Sequence, residues 1–189
     1  PSGIGLEACS IIEEVGSEVK LFKVGDRVTR ASMPIGTYSE KQIIPEDKLV
    51  KVPNNISDEV ASCITLKGIT AEYLLHRTYQ VKKGDKILYH AAAGALGQIF
   101  CPWANALGAE IIGTVGSDEK IEIAKKNGCH HVINYNEKNF VEEVEKIVGK
   151  NGLDVVYDGV GAKTFEGSIE VLKVRGMMVA FGNASGYVH

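Results

Sequence analysis

From about residue 81 onward, short runs of hydrophobic residues alternate with stretches that mix apolar and charged positions. The apolar runs predict buried strands, and the mixed stretches predict amphipathic helices. The predicted elements are strand 86–91, helix 95–107, strand 110–115, helix 118–127, strand 131–135, helix 137–149, strand 154–158, helix 164–174 and strand 177–182. Regular alternation of strands and helices favours an α/β fold with a doubly wound parallel sheet.

The first 66 residues follow a different pattern, with shorter apolar runs punctuated by Pro, Gly and Asn. These runs predict a small β-rich domain with strands over 9–15, 26–31, 38–45 and 49–52. A helical stretch follows from Ser57 to Tyr79, with a break expected at Gly68. We therefore expect two domains, residues 1–66 and residues 67–189.

The turn after strand 86–91 consists of small residues and reads His90-Ala-Ala-Ala-Gly-Ala-Leu-Gly97. Ala92, Gly94 and Gly97 occupy the three small positions of the G-x-G-x-x-G pattern, with alanine in place of the first glycine. In that pattern the first residue allows a tight turn, the second lets backbone N–H groups approach a pyrophosphate, and the third lets helix and strand pack closely. An ordinary strand-to-helix turn is the alternative, but the strands and helix around the motif favour dinucleotide binding.

The end of strand 110–115 indicates which dinucleotide would bind. An NAD site usually carries Asp or Glu at this position to hold the ribose 2′-hydroxyl. Here the strand ends in Gly116 and Ser117, and Asp118, Glu119 and Lys120 follow. The Ser117 hydroxyl and the Lys120 ammonium group suit a 2′-phosphate, which favours NADPH. Two alternatives remain, namely that Lys120 is a solvated helix lysine and that the two acids cap the next helix.

Composition and charge narrow the classes of function. Of the 189 residues, 44% are hydrophobic, which is ordinary for a soluble globular protein. The net charge of −3 gives no general affinity for nucleic acid or anionic membranes. No apolar run reaches membrane-spanning length and no signal peptide is visible. The sequence begins at Pro1 and not at a methionine, so this observation does not extend to any residues before Pro1. Cys9, Cys63, Cys101 and Cys129 are widely spaced, which argues against a zinc lobe and predicts reduced thiols in a cytoplasmic protein.

Seven motifs along the chain resemble those of the zeta-crystallin-like quinone oxidoreductases, which form a zinc-independent branch of the medium-chain dehydrogenase/reductase superfamily. They occur in that family's order and spacing, over essentially the whole chain. The motifs are Gly3–Ala8, Lys67–Ala71, His90–Gly97, Gly113–Gly116, Val132–Tyr135, Val156–Gly161 and Phe181–Asn183. The resemblance implies that residues 1–66 are part of a GroES-like β domain. It also implies that residues 67–189 are a Rossmann domain without its C-terminal part, so that the chain is a fragment.

The resemblance implies an NADPH:quinone oxidoreductase in which hydride passes directly from nicotinamide to quinone without a metal. Leu6 stands where zinc-dependent relatives have a histidine ligand, and a leucine cannot bind zinc. One alternative is an NADPH-dependent reductase of α,β-unsaturated carbonyls such as alkenals and enones. Another is a non-enzymatic NADPH-binding protein, crystallin-like or RNA-binding, although the acidic balance disfavours RNA. The full-length protein is expected to be a homodimer, and no catalytic side chain is identified in this chain.

By the same resemblance, NADPH is expected along the carboxyl edge of the sheet. The residues expected at the pyrophosphate are Gly94, Ala95, Leu96 and Gly97. Those expected at the adenosine end, with Ser117 and Lys120 toward the 2′-phosphate, are Gly116, Ser117, Lys120 and Tyr135. Those expected where the fourth and fifth strands end are Gly159, Val160, Phe181, Gly182 and Asn183. Those expected near the nicotinamide are Thr70 and Tyr73. The alternative for Tyr135 is a half-buried strand tyrosine.

Four other polar residues are not assigned to catalysis. His130 and His131 have no cysteine or carboxylate partner at ligand spacing, so we expect them to be surface residues. Asp158 stands at a strand end, where a turn-capping role is expected. His90 precedes the glycine turn and is expected to support that loop rather than to transfer protons.

Overall fold

The computed structural model describes residues 3–188, which form two compact units. The first unit ends at Ile69 and the second begins at Thr70. Within the described residues, none of the helices has both the length and the apolar character needed to cross a membrane.

The first unit contains a three-stranded antiparallel sheet in the order β1 (Glu7–Ile11), β2 (Arg27–Ala31) and β3 (Val50–Lys51). The prediction of a further strand over 38–45 is wrong, because that segment forms no ladder. Its groups form isolated hydrogen bonds instead. The Tyr38 N–H donates to the Ile4 carbonyl, and the Gln42 amide bonds to the Gly36 carbonyl.

Helix α1 (Asp58–Tyr73) begins after Ser57, whose hydroxyl accepts a hydrogen bond from the Val60 N–H at 3.3 Å. A turn of π-helix, Leu74–Thr78, continues it. The predicted break at Gly68 is wrong, since the helix passes through this residue without interruption. Glycine costs roughly 1 kcal/mol in a helix interior but still supplies its N–H and C=O groups, so it weakens a helix without ending it.

The second unit is built on a five-stranded sheet in which all neighbouring strands are parallel. Its order is β6-β5-β4-β7-β8. The strands are β4 (Lys86–Tyr89), β5 (Glu110–Val115), β6 (His131–Asn134), β7 (Leu153–Asp158) and β8 (Leu172–Ala180). The chain starts at the central strand, adds two strands on one side and then two on the other. The predicted doubly wound parallel sheet is therefore confirmed, and its switch point lies between β4 and β7.

Four helices connect these strands. They are α2 (Gly97–Ala106), α3 (Ile121–Lys126), α4 (Phe140–Val148) and α5 (Phe165–Glu170), with a 3₁₀ turn over Asp118–Lys120 before α3. Successive residues of β4 point to opposite faces of the sheet. Ile87 packs in a core cluster with Phe100 of α2, whereas Leu88 packs in a second cluster with Val144 of α4. Helices thus cover both faces.

The end of the second unit differs from the prediction. Helix α5 ends at Glu170 rather than at residue 174, and β8 begins at Leu172 rather than at residue 177. Leu172 pairs with Leu153, and Met177 pairs with Val155, so the residues between Leu172 and Met177 bulge out of the ladder. The segment between these two pairs, Lys173–Gly176, carries two charged residues and a glycine, and the bulge accommodates it outside the regular ladder.

Candidate dinucleotide-binding site

The carboxyl ends of all five parallel strands meet at one edge of the sheet of the second unit. In open α/β sheets, ligands bind at this edge and close to the switch point. Most of the predicted cofactor residues lie in the loops that follow the strands. These segments are Gly94–Gly97 after β4, Gly116–Lys120 after β5, Tyr135 after β6, Gly159–Val160 after β7 and Phe181–Asn183 after β8.

The glycine turn packs tightly between β4 and α2. The Ala92 N–H donates to the Thr114 carbonyl at 2.9 Å, which fastens the turn to β5. A Cβ atom on Gly97 would lie only 2.9 Å from the Ala92 Cα and still closer to its carbonyl group, so only glycine fits. Gly94 and Ala95 are exposed just before α2. The Gly94 N–H donates to the Ala91 carbonyl, and the Gln98 N–H donates to the Gly94 carbonyl, so within residues 3–188 the N–H groups of Ala95, Leu96 and Gly97 have no backbone acceptor. This end of α2 can therefore meet an anion.

Ala91 carries the backbone strain of the turn. Its φ of 59° lies in the left-handed region that favours glycine. Ala92, by contrast, is fully buried, and a Cβ on Gly113 would lie 2.7 Å from the Ala92 Cβ. The small residue at position 92 thus serves close packing, and the residue before it makes the sharp change of direction.

A buried histidine lies beneath the glycine turn. The His90 ring is hydrogen-bonded on both sides, with Nδ1 at 2.9 Å from the Thr114 hydroxyl and Nε2 at 2.9 Å from the Ser168 hydroxyl. Because the Ser168 hydroxyl donates to the Thr164 carbonyl at 2.7 Å, it must accept from His90. The Nε2–H tautomer of neutral histidine satisfies all of these groups.

Burial favours the neutral form of His90. Desolvation lowers the pKa of His90 from 6.5 to about 4, although the Asp158 carboxylate acts in the opposite direction. The imidazole is therefore uncharged near neutral pH. Its contacts agree with the predicted role in supporting the loop.

Asp158 organises the loop after β7. One carboxylate oxygen accepts from the N–H groups of Val160 at 2.7 Å and Gly161 at 3.0 Å. The other accepts from the Thr164 hydroxyl at 2.8 Å. The predicted turn-capping role of Asp158 is thus confirmed, and the carboxylate is occupied by donors from its own loop.

The loop after β8 packs against the loop after β7. The Phe181 N–H donates to the Asp158 carbonyl at 2.9 Å. Gly159 has no room for a side chain, because a Cβ there would lie 2.9 Å from the Phe181 ring. A Cβ on Gly182 would likewise lie 2.7 Å from the Gly159 carbonyl oxygen. The structure therefore brings the predicted residues of these two loops together, and it leaves Asn183 exposed.

At the end of β5, Ser117 adopts an extended backbone, and its side chain makes no capping hydrogen bond. Lys120 is exposed one turn later. Among the ion pairs formed by residues 3–188, none involves Lys120 or Asp118. The Asp118 carboxylate accepts instead from the Asn134 amide at 2.8 Å. The hydroxyl of Ser117 and the ammonium group of Lys120 are thus available to a ligand.

The loop after β6 meets this strand end. Tyr135 donates its N–H to the Val115 carbonyl at 3.1 Å, and its hydroxyl lies 3.1 Å from where a Cβ on Gly116 would be. The Asn136 side chain donates to the Gly116 carbonyl at 2.7 Å. Sequence reasoning missed Asn134 and Asn136. The available signal was the run Ile-Asn-Tyr-Asn, which places polar side chains at the end of a parallel strand.

Thr70 and Tyr73 lie on the last turns of α1. Their neighbour Leu74 belongs to the same buried cluster as Tyr89, and its carbonyl accepts from the Tyr157 hydroxyl at 3.0 Å. These contacts hold the end of α1 against the sheet. Tyr73 is 37% exposed. The placement of Thr70 and Tyr73 near a nicotinamide stays a prediction.

No metal centre is formed by the described part of the chain. Residues 3–188 contain no group of three or more His, Cys, Asp or Glu side chains placed to hold a metal ion. The two adjacent histidines are exposed, as expected. His130 accepts a hydrogen bond from the Ile111 N–H at 3.0 Å, and His131 lies 3.5 Å from Glu110.

Two family models match the chain. Residues 95–189 match the zinc-binding dehydrogenase family, and residues 1–54 match the alcohol dehydrogenase GroES-like domain. Among curated proteins, the 2-haloacrylate reductase of a Burkholderia species is 50% identical over 188 residues, which are 98% of this chain and 56% of that protein. Quinone oxidoreductase 1 of Escherichia coli is 49% identical over 188 residues, which are 100% of this chain and 58% of that protein.

Solved structures agree with these relatives. The crystal structure of E. coli quinone oxidoreductase complexed with NADPH superposes with a TM-score of 0.96 at 49% identity, covering 100% of this chain and 58% of that one. The chain thus spans somewhat more than half the length of the proteins that it matches. It belongs to the zinc-binding dehydrogenase family, and within that family it resembles the quinone oxidoreductases.

Proposed function

We propose that the protein carrying this chain is an NADPH-dependent quinone reductase. The observation that carries the proposal is the similarity of the whole chain, at 47–49% identity, to quinone oxidoreductases from three bacteria. One solved relative of this kind is described as complexed with NADPH. The residues of the candidate site support the same cofactor.

The glycine turn fits a dinucleotide pyrophosphate. The exposed Gly94 and Ala95 and the half-buried Leu96 stand at the N-terminal end of α2, where the helix dipole favours an anion. Gly97 lets that end lie directly against the Ala92 backbone, as its lack of space for a Cβ indicates. We therefore assign the pyrophosphate to the backbone of Gly94–Gly97.

The end of β5 fits a 2′-phosphate. A phosphate favours a cationic partner and hydroxyl donors, which Lys120, Ser117 and Tyr135 would supply beside Gly116. The acid that usually holds a free ribose hydroxyl is missing from the strand end itself. These side chains would hold the adenosine end of NADPH and select it over NADH.

The nicotinamide end is assigned to the loops after β7 and β8 and to the end of α1. NADPH, when bound, supplies the hydride that reduces the quinone. The chain's contribution is to orient the reactants, which it does with loops tied together through Gly159, Phe181 and Gly182. The apolar side chains of Val160 and Phe181 would keep water from this end, and Asn183, Thr70 and Tyr73 would add polar contacts. No side chain is assigned as an acid or base.

Three further properties are part of the proposal. Residues 1–66 would form part of a GroES-like domain, and residues 67–189 would form most of the Rossmann domain. Reduction would proceed without a metal, since Leu6 replaces the histidine of zinc-dependent relatives. The whole protein would act as a cytoplasmic homodimer.

The test is oxidation of NADPH by the purified protein, followed by its absorbance, with 1,4-benzoquinone as the acceptor and NADH as the comparison cofactor. Turnover that prefers NADPH and needs the quinone is the expected result. Absence of quinone reduction under conditions in which NADPH binds would contradict the proposed reaction. A gel shift with RNA in the same preparation would identify the RNA-binding alternative.

A second candidate is an NADPH-dependent reductase of activated carbon–carbon double bonds. The 50% identity to a 2-haloacrylate reductase favours it, because a haloacrylate is an α,β-unsaturated carboxylate. The discriminating assay offers 2-chloroacrylate and a simple enone beside the benzoquinone. Turnover of the alkenes without turnover of the quinone would select this candidate.

A further inference from the structure

Two asparagine side chains fasten the loop after β5 to the loop after β6. The Asn134 amide nitrogen donates to the Asp118 carboxylate at 2.8 Å, and its amide oxygen accepts from the Asn136 N–H at 3.1 Å. The Asn136 side chain donates to the Gly116 carbonyl at 2.7 Å. Asn134 is only 7% exposed, so its amide is held in place by the surrounding protein.

The hydrogen bond from Asn134 is important because its acceptor, the Asp118 carboxylate, is charged. Asp118 follows Ser117 directly and is exposed. A carboxylate free to turn at this position could approach Lys120, reduce its effective positive charge and repel a 2′-phosphate. Asn134 is uncharged, so it holds the carboxylate on the β6 side of the loop and leaves the ammonium group of Lys120 free for a ligand.

We propose that Asn134 is a positioning residue for cofactor choice. It holds the Asp118 carboxylate away from the 2′-phosphate position and so preserves the preference for NADPH over NADH. This inference rests on the proposed function, because it requires that NADPH binds at the end of β5. Asn134 itself needs no contact with the cofactor.

The experiment measures dissociation constants of NADPH and NADH for the purified protein by fluorescence titration. The first variant is Asn134→Ser, whose hydroxyl can still accept from the Asn136 N–H but cannot reach Asp118. We expect the ratio of the two affinities to fall by about tenfold through weaker NADPH binding, the size expected for a repulsion between nearby surface charges. Asn134→Ala serves as the second variant if the serine variant does not fold.

Rescue by Asp118→Asn distinguishes positioning from a general structural role. With the charge at position 118 removed, the Asn134→Ser change should leave the affinity ratio at the value of the Asp118→Asn single variant. A ratio unchanged by Asn134→Ser, or a loss that persists beside Asp118→Asn, would overturn the inference while the proposed function stands. A wild-type protein that binds NADH as tightly as NADPH would instead refute the proposed cofactor, and the inference would fail with it.

Discussion

His90 Nε2 lies 2.9 Å from the Ser168 hydroxyl oxygen, and this bond joins the end of β4 to α5 beneath the glycine turn. The same ring bonds the Thr114 hydroxyl of β5. Both partners are completely buried, so neither can turn to water if the imidazole is removed. His90 therefore links the end of β4 to β5 and to α5 beneath the candidate site.

Replacement of His90 by leucine should destabilise the protein by about 2–4 kcal/mol, because it removes two buried hydrogen bonds and leaves the buried Thr114 hydroxyl without its side-chain partner, whereas the Ser168 hydroxyl keeps the Thr164 carbonyl. Urea unfolding measures the change. The exposed His131→Gln is the control, and it should change the free energy of unfolding by about 0.5 kcal/mol or less. A His90→Leu protein as stable as the control would show that the network contributes little.

The His90 pKa also predicts a pH dependence of stability. Because the folded-state pKa is lowered from 6.5 to about 4, the unfolded chain binds a proton between these values and the folded chain does not. The stability contributed by neutral His90 is fully present above pH 6.5 and is lost as the pH falls toward 4. The limiting slope is about 1.4 kcal/mol per pH unit for one proton. Between these pH values, the free energy of unfolding should depend less steeply on pH for His90→Leu than for wild type. Equal slopes for the two proteins would contradict the assignment.

Gly97→Ala should weaken NADPH binding by at least about tenfold, since the added Cβ collides with the Ala92 backbone and displaces α2 from the turn. Gly68→Ala is a matched control, because a Cβ there meets no atom within 4 Å and lies inside α1. That control should raise stability by about 1 kcal/mol and leave NADPH affinity unchanged. Unchanged affinity of the Gly97→Ala protein would refute the pyrophosphate assignment.

Lys120→Ala should raise the dissociation constant of NADPH by about tenfold and leave that of NADH unchanged, because only NADPH carries the 2′-phosphate. Lys126→Ala removes another exposed lysine from the same segment and should affect neither cofactor. Fluorescence titration at two salt concentrations measures both constants. Equal losses of affinity for NADPH and NADH would show that Lys120 does not contact the 2′-phosphate.

Ala91→Gly should stabilise the protein modestly, by up to about 1 kcal/mol, because glycine adopts a φ of 59° without the steric cost that alanine bears. Ala91 is exposed, so removal of its methyl group leaves no cavity in the core. Thermal unfolding measures it, and a lower melting temperature would show that the methyl group makes contacts worth more than the strain.

The sequence alone determined the features that depend on local pattern. Strand 110–115 was predicted to the residue, because its apolar run is bounded on both sides by turn residues. The glycine turn was located because Gly97 must approach the Ala92 backbone, a demand that only a missing side chain can meet. The parallel sheet followed from the alternation of strands and helices, which leaves few other ways to bury the apolar runs.

Tertiary structure decided the features that depend on partners distant in the chain. Residues 38–45 have the composition of a strand, but strands form only where a neighbouring strand can pair. The bonds of His90 to Ser168 and of Asn134 to Asp118 join residues 78 and 16 positions apart. Hydrophobic periodicity shows which faces are buried, whereas a buried polar group finds its partner only when the packed elements bring donor and acceptor within about 3 Å. That geometry arises from the fold and cannot be predicted from any local run of residues.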